Sequence, residues 1–229
     1  MFGALVDGIT AILVWLYNGT AALGFPNYGL AIILLTVVVK VVLYPLSYKQ
    51  MHSMAAMQRL QPKLKEIQEK YKKDPQKLQQ KMMELYKENG VNPMAGCLPL
   101  LIQLPILFAL YRALLKFPYK VAAHAGFLWV PSLSHKDPYF ILPILAGLST
   151  YWQMKVTPQA GGQEQMQQMM TFMMPVMFVW ICSTLPAGLA LYWVVFNLLA
   201  VGQQYIINKR LYPSVGKGAL KGEGSGDKR

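Results

Sequence analysis

The chain has 229 residues, 54% hydrophobic and only 14% charged, where soluble domains carry about a quarter charged residues. That deficit, with apolar blocks near the ~20 helical residues that cross a hydrocarbon core, excludes an ordinary water-soluble domain. The net charge of +12 is unevenly spread, and a positive-inside bias explains it better than nucleic-acid binding does.

Residues 1–24 are apolar but broken by Asp7, Gly8, Asn18 and Gly19. Ile9, Leu13, Leu16 and Ala21 share one helical face, and Trp15 and Tyr17 suit a headgroup zone, so the segment reads as an amphipathic helix on the outer membrane surface. A signal peptide ranks second, for want of a basic start and a small-residue cleavage site. Five spans follow, at about 28–48, 96–117, 139–155, 166–185 and 188–207. In lipid the backbone has no water to bond, so each must be helical. Pro45 is placed to kink the first span near its inner end.

Residues 49–92 read as a helical hairpin. Leu60, Leu64, Ile67 and Tyr71 keep one apolar face, and Leu78, Met82, Leu85 and Asn89 continue the period. Pro62 suits a first helical turn, Asp74-Pro75 a cap followed by one, and Gly90 a stop. The tail at 209–229, rich in Gly, Lys and Ser, reads as disordered.

Between Lys49 and Asn92 there are ten Lys/Arg against five Asp/Glu, and from Asn208 onward six against two, whereas Met1–Tyr28 holds Asp7 and no base. The hairpin and tail are therefore expected in the cytoplasm and the amino terminus outside.

Lys40 interrupts the first span. A central Lys costs about 2.5–3.5 kcal/mol on insertion scales. Snorkelling is the plain account, but Val41, Val42, Leu43 and Tyr44 after it remain apolar. No carboxylate occurs in the five spans. Lys40 is therefore expected to face a wet cavity and to receive an acidic group from outside the protein. Thr36 lies one turn before it on the same face. Gln103, Gln153, Tyr192, Trp193 and Asn197, with Gln203 and Gln204, are candidate lining groups. Each alone is more often an interhelical hydrogen-bonding partner. Met166, Met170, Met173 and Met177 recur at four-three-four spacing, and Met51, Met54 and Met57 follow span one. Single methionines are usually core, but the clusters suggest an adaptable substrate surface. Cys97 and Cys182 sit far apart in apolar blocks and His52, His124 and His135 are scattered, so neither metal nor cofactor is expected.

An ordered set of stretches carries a resemblance: GLAIILLTVVVKVVLYPLSYKQ, MQRLQPKLKEIQEKY, VNPMAGCLPLLIQLPILFALY, DPYFILPIL, MMTFMMPVMF and LPAGLALYWVVFNLLAVGQQ. Over about residues 12–210 the chain resembles the YidC/Oxa/Alb family of membrane protein insertases. The resemblance implies an all-α polytopic membrane protein, with five transmembrane helices around a cytoplasm-open hydrophilic groove and a cytoplasmic helical hairpin. The family's groove cation falls on Lys40 and its preceding polar residue on Thr36. Gln103 falls in the LLIQxP segment, and Tyr192-Trp193 on the aromatic pair of span five. The cation is most often Arg in this family. Lys keeps the charge but loses the bidentate fork. The chain looks like the short, Gram-positive-type bacterial form, or like a piece of a longer protein. The implied partners are nascent membrane proteins and the bilayer, with the Sec translocon and the ribosome beside them, in a bacterial cell membrane. No GxxxxGK[ST], paired carboxylates or nucleophile–base set is present, so no enzyme and no nucleotide are expected. A small ion channel or secondary transporter is the rival reading.

Overall fold

The structure, a computed structural model, describes residues 2–92, 98–117, 124–157 and 164–211. The start of span two at 96–97, Cys97, Lys120, the tail from 212 and the Met166 side chain lie outside the described residues. The described residues form α1 (Phe2–Ala22), α2 (Tyr28–Val42), α3 (Tyr44–Arg59), α4 (Gln61–Lys70), α5 (Pro75–Glu88), α6 (Leu98–Lys116), α7 (Ile141–Val156), α8 (Glu164–Thr184) and α9 (Ala187–Leu211).

The first span, where Pro45 was expected to place a kink, is two helices that meet at Leu43 and are bent by 62°. Pro45 sits in the first turn of α3, where its missing N–H costs no hydrogen bond. Lys40 therefore lies in the last turn of α2, and the apolar residues after it belong to a bend. Helices α1 and α9 are each long and apolar enough to cross a membrane, and α2 with α3 passes as one broken pair. Shorter apolar helical stretches occupy Leu101–Leu115 and Gln168–Thr184.

Helix α9 packs on α2, α6 and α7, and α7 lies between α8 and α9. One apolar core runs through α1, α2, α6, α7 and α9. The outward faces are apolar as well: Val37, Val38, Val41 and Val42 on α2, Leu101, Leu104 and Phe108 on α6, Ile144, Leu148 and Trp152 on α7 are exposed. So broad an exposed apolar surface marks a lipid-facing protein.

Helix α1 buries Val6, Ile9, Leu13, Leu16 and Thr20 at three-four spacing. Thr20 takes the place expected for Ala21, which is half-buried. Of its exposed flanks, one carries Leu5, Ile12 and Trp15, the last 72% exposed, and the other carries Asp7 and Asn18. The Arg112 guanidinium lies 5.9 Å from the Phe2 ring, while Tyr17 stacks at 4.2 Å on Tyr28, which meets Phe117 edge-on at 5.1 Å.

A folded segment, 124–137, ties the ends of several helices together. Phe127 and Val130 exchange two backbone hydrogen bonds of 2.9 Å. The Asn27 side chain caps α2 by accepting from Gly29 N and Leu30 N, and donates to Gly126 O at 2.9 Å. The first N–H groups of α9 donate to this segment: Ala187 N to His135 O at 2.7 Å and Gly188 N to Leu133 O at 2.9 Å. Asp137 is buried and accepts from Leu142 N, Tyr139 N and Trp129 Nε1. Its carboxylate thus replaces an ordinary cap at the start of α7, where Phe140 is left-handed and offers none.

Helices α4 and α5 pair over a separate small core of Met57, Leu60, Leu64, Leu85 and Tyr86, with Ile67, Met82 and Val91 against it. Asp74 accepts from Lys77 N at the start of α5, and Gly90 has φ +64 just beyond its end. Lys81 Nζ donates to Glu84 Oε2 at 2.6 Å. This bond holds the Glu84 carboxyl below its ordinary range and the Lys81 ammonium above it.

Helices α7 and α8 approach closely at Gly147. A methyl group there would meet the Val179 side chain and lie 3.1 Å from the Pro175 carbonyl oxygen, which is backbone and cannot turn away. Gly147→Ala is expected to destabilise the protein by about 1–3 kcal/mol, as overpacking does. Thermal unfolding in detergent measures this; an unchanged midpoint would show that α8 shifts without cost.

Candidate functional site: a polar collar on one helix

The predicted site residues meet on α9. The Lys40 ammonium nitrogen stands 3.5 Å from the centroid of the Phe196 ring, and the residue is half-buried. Among the described residues no carboxylate forms an ion pair with it. Its neighbours are instead an aromatic face and the carbonyl end of α2, since it occupies that helix's last turn. Both favour a cation, at about 0.5–2 kcal/mol for the ring and 0.3–1 kcal/mol for the helix end. Phe196 was invisible in the sequence, where it reads as one more core aromatic.

On α9, one position beyond Phe196, is Asn197, 1% exposed. Its amide lies against Ser149 Oγ and Thr150 Oγ1 of α7, and Trp193 Nε1 donates to the same Thr150 Oγ1 at 3.0 Å. With the amide oxygen turned toward these donors, its nitrogen donates to Gln153 Oε1 at 3.0 Å. One turn earlier, Gln103 Nε2 of α6, in a residue 5% exposed, donates to Tyr192 Oη at 2.9 Å. Thr36 is fully buried, and its hydroxyl donates to Ile32 O of its own helix at 2.7 Å.

Lys40, Gln103, Gln153, Tyr192, Trp193 and Asn197 thus share one level of the bundle. Between Tyr192 and Asn197 the helix rises about 7 Å, and within that rise α9 takes polar partners from α6 and α7 and the cation from α2. The sequence reading expected lining groups of an open groove. The structure has Thr36, Gln103, Tyr192, Trp193 and Asn197 buried, with their hydrogen bonds satisfied inside the protein. Lys40 and Gln153 keep partial exposure. Ser149 and Thr150 were missed as partners. Their spacing from Gln153, three and four residues in an apolar run, is the signal that one helix face carries all three.

Stacked rings back the collar. Phe178 of α8 lies 4.2 Å from Trp193, and Phe196 lies 5.8 Å from Tyr192 and 6.4 Å from Trp193. Met170, Met173 and Met177 lie exposed on α8, Met173 at 55%, beside exposed Phe172, Val176 and Trp180. Met54 and Met57 do not join that surface, since both are buried, Met57 in the hairpin core.

A family model described as 60Kd inner membrane protein matches residues 20–214. The chain is 48% identical over 204 residues to the membrane protein insertase YidC of Helicobacter pylori strain J99, covering 89% of this chain and 36% of that protein. It is 47% identical over 216 residues to the YidC insertase of Wolinella succinogenes, covering 94% and 39%. The chain therefore spans little more than a third of the length of these relatives. Among solved structures, the crystal structure of an active YidC insertase with its first transmembrane domain resolved matches with a TM-score of 0.72 and 32% identity. That match covers 90% of this chain and 46% of the other.

Asn197→Leu removes the hub of the α7–α9 network and strands Gln153 Oε1, while Ser149 Oγ keeps its bond to Ala146 O. A loss of about 1–3 kcal/mol is expected, read as a lower midpoint in denaturant titration of the protein in micelles. Asn197→Gln, which keeps both amide functions, is expected to lose less.

Proposed function

Because the chain belongs to the family of the 60Kd inner membrane proteins and YidC insertases, we propose that it inserts nascent membrane proteins into the bilayer and assists their folding. It does so by offering a hydrated positive charge within the membrane's depth. The observation that carries this reading is Lys40 over Phe196: a cation held by a ring, with no fixed carboxylate among the described residues. Such a contact is exchangeable. A client's carboxylate competes with the ring face, because charge pairing at about 4 Å, worth about 4 kcal/mol at an effective dielectric near 20, exceeds a cation–π contact of about 0.5–2 kcal/mol.

Mechanistically, a client presents an apolar segment and a short polar or acidic flank. Carrying that flank across about 30 Å of hydrocarbon unaided is prohibitive. A groove wetted from the cytoplasm brings water and Lys40 to the flank part-way across. The apolar segment then moves sideways into lipid against α7–α9, driven by hydrophobic transfer. The exposed Met and aromatic surface of α8 is proposed as the adaptable wall it slides along. No bond is made or broken in the client, so the activity is non-enzymatic.

In the membrane we place α2, α6, α7, α8 and α9 as five spans, with α1 on the outer surface, the hairpin and tail in the cytoplasm and the amino terminus outside. The two exposed flanks of α1 support this, one apolar and suited to lipid, the other with Asp7 and Asn18 and suited to water. Exposed Trp and Tyr side chains also gather toward the helix ends: Trp15, Tyr139 and Trp180 toward the ends joined by the 124–137 segment, and Tyr44, Tyr48, Trp152 and Tyr205 toward the opposite ends. Two such belts mark two headgroup zones. The basic hairpin is a candidate contact for ribosome or translocon.

The test uses the purified protein in liposomes and a single-span client with an acidic tail. Lys40→Arg is expected to insert it at near the parent rate, and Lys40→Glu to lose more than about ten-fold, as a like-charge juxtaposition does. Equal insertion by Lys40→Ala, Lys40→Glu and the parent protein would remove the charge mechanism.

A further inference from the structure

The contact that holds Lys40 has a mobile side and a fixed one. Lys40 stands in the last turn of α2, just before the break at Leu43, and carries its ammonium on a flexible four-carbon stem. Phe196 has no such freedom. Its ring stacks on Tyr192 at 5.8 Å and on Trp193 at 6.4 Å. Both neighbours are pinned in turn. Tyr192 Oη accepts from Gln103 of α6, Trp193 Nε1 donates to Thr150 of α7, and the Trp193 ring lies 4.2 Å from Phe178 of α8. Side chains of α6, α7 and α8 therefore fix one ring of α9 at the place where the Lys40 ammonium meets it, 3.5 Å from its centroid.

The ring and an incoming acid are alternatives for that ammonium. An aromatic face is negative, so a carboxylate brought onto the same nitrogen is repelled by the ring it approaches. The cation has to leave the ring to pair with it, and the ring cannot follow. An acidic flank thus binds only the fraction of molecules in which Lys40 is off the ring. Its apparent affinity is reduced by that fraction. A neutral flank offers the ammonium nothing that outweighs the ring, so the competition does not concern it.

We propose that Phe196 is a specificity-determining residue of the charged site: a built-in competitor that holds Lys40 in reserve, yields it only to a carboxylate-bearing flank, and takes it back when the flank moves on. This rests on the insertase reading and adds what limits it. The ring, and not the cation alone, sets how strongly an acidic flank is drawn in and keeps its capture reversible.

The experiment changes the ring's electrostatics and leaves its shape nearly unchanged. Difluorinated and trifluorinated phenylalanine are placed at position 196 of the protein in liposomes, since fluorine withdraws electron density from the ring face. Two clients share one apolar segment, and their flanks differ only in carrying Asp or Asn. The client concentration that gives half-maximal insertion is measured for each. For the Asp client it is expected to fall stepwise along the series, by about two- to thirty-fold once the attraction is gone, the equilibrium equivalent of a cation–π contact. The Asn client is expected to show no such trend, and neither client is expected to show one in a Lys40→Ala background. A value for the Asp client that stays constant along the series overturns the proposal, as does a fall shared equally by the Asn client or one that persists without Lys40: the ring then only fills space. A rise for the Asp client overturns it too, because the ring then presents the ammonium to the client and does not compete with it. Failure of the parent protein to insert either client is a different result and overturns the insertase reading instead.

Discussion

A positive charge inside a bundle that faces lipid has to be held by something, and the hold on Lys40 sets the logic of the rest. A central Lys costs about 2.5–3.5 kcal/mol on insertion scales. The Phe196 ring contributes about 0.5–2 kcal/mol and the carbonyl end of α2 about 0.3–1 kcal/mol. Together they approach the cost and fall short of it, and partial exposure of the side chain leaves the remainder to solvent. A carboxylate partner would have closed the balance and also silenced the charge. The ring does neither. It tolerates the cation and leaves its charge uncancelled.

The hydrogen bonds around this charge are distributed unevenly, and the unevenness gives the bundle a direction. At one end, the first N–H groups of α9 donate to Leu133 O and His135 O, Asn27 caps α2, and buried Asp137 takes three donors at the start of α7. That end is saturated, and moving the 124–137 segment would break bonds at several helices together. In the middle, the Gln103–Tyr192 pair and the Asn197 network lock α6 and α7 onto α9. Toward the other end, α2 breaks at Leu43 and amide donors go unmatched. Among the described residues the bundle is thus tied together at one end and bent, with unmatched amides, at the other.

Much of this was legible in the sequence, for reasons that differ by element. The hairpin was readable because its apolar period, Asp74-Pro75 and Gly90 are local signals, and α4 and α5 start and stop on them. Family membership was readable from an ordered set of stretches. The size of the bend at Leu43, 62°, was not, since Pro45 marks a break without fixing an angle. The roles of Asp137, Phe196 and Thr150 were hidden for one shared reason. Each looks ordinary in the chain, a loop acid, a core ring and a helix hydroxyl, and gains its meaning from a partner 5 to more than 150 positions away. The candidate polar residues were found, but sequence gave no means to tell a side chain that lines a groove from one that staples two helices.

The same depth recurs when it is measured along different helices, and this bears most directly on how such a bundle works. Lys40 lies about 18 Å along α2 from Tyr28, and Phe196 and Asn197 about 14–15 Å along α9 from Ala187. Those starting points are joined to one segment through Asn27, Leu133 and His135. The collar therefore sits close to half of a 30 Å hydrocarbon thickness from the sealed end. At 16 residues, α7 is only about 24 Å long, shorter than a hydrocarbon thickness of about 30 Å. On the insertase reading proposed above, a polar flank brought to the collar from the bent end would have crossed about half the barrier beside hydroxyls, amides and a cation. What remains dry is the stretch beside Asn27 and Gly188, and its shortness is a consequence of where α9 places its polar turn.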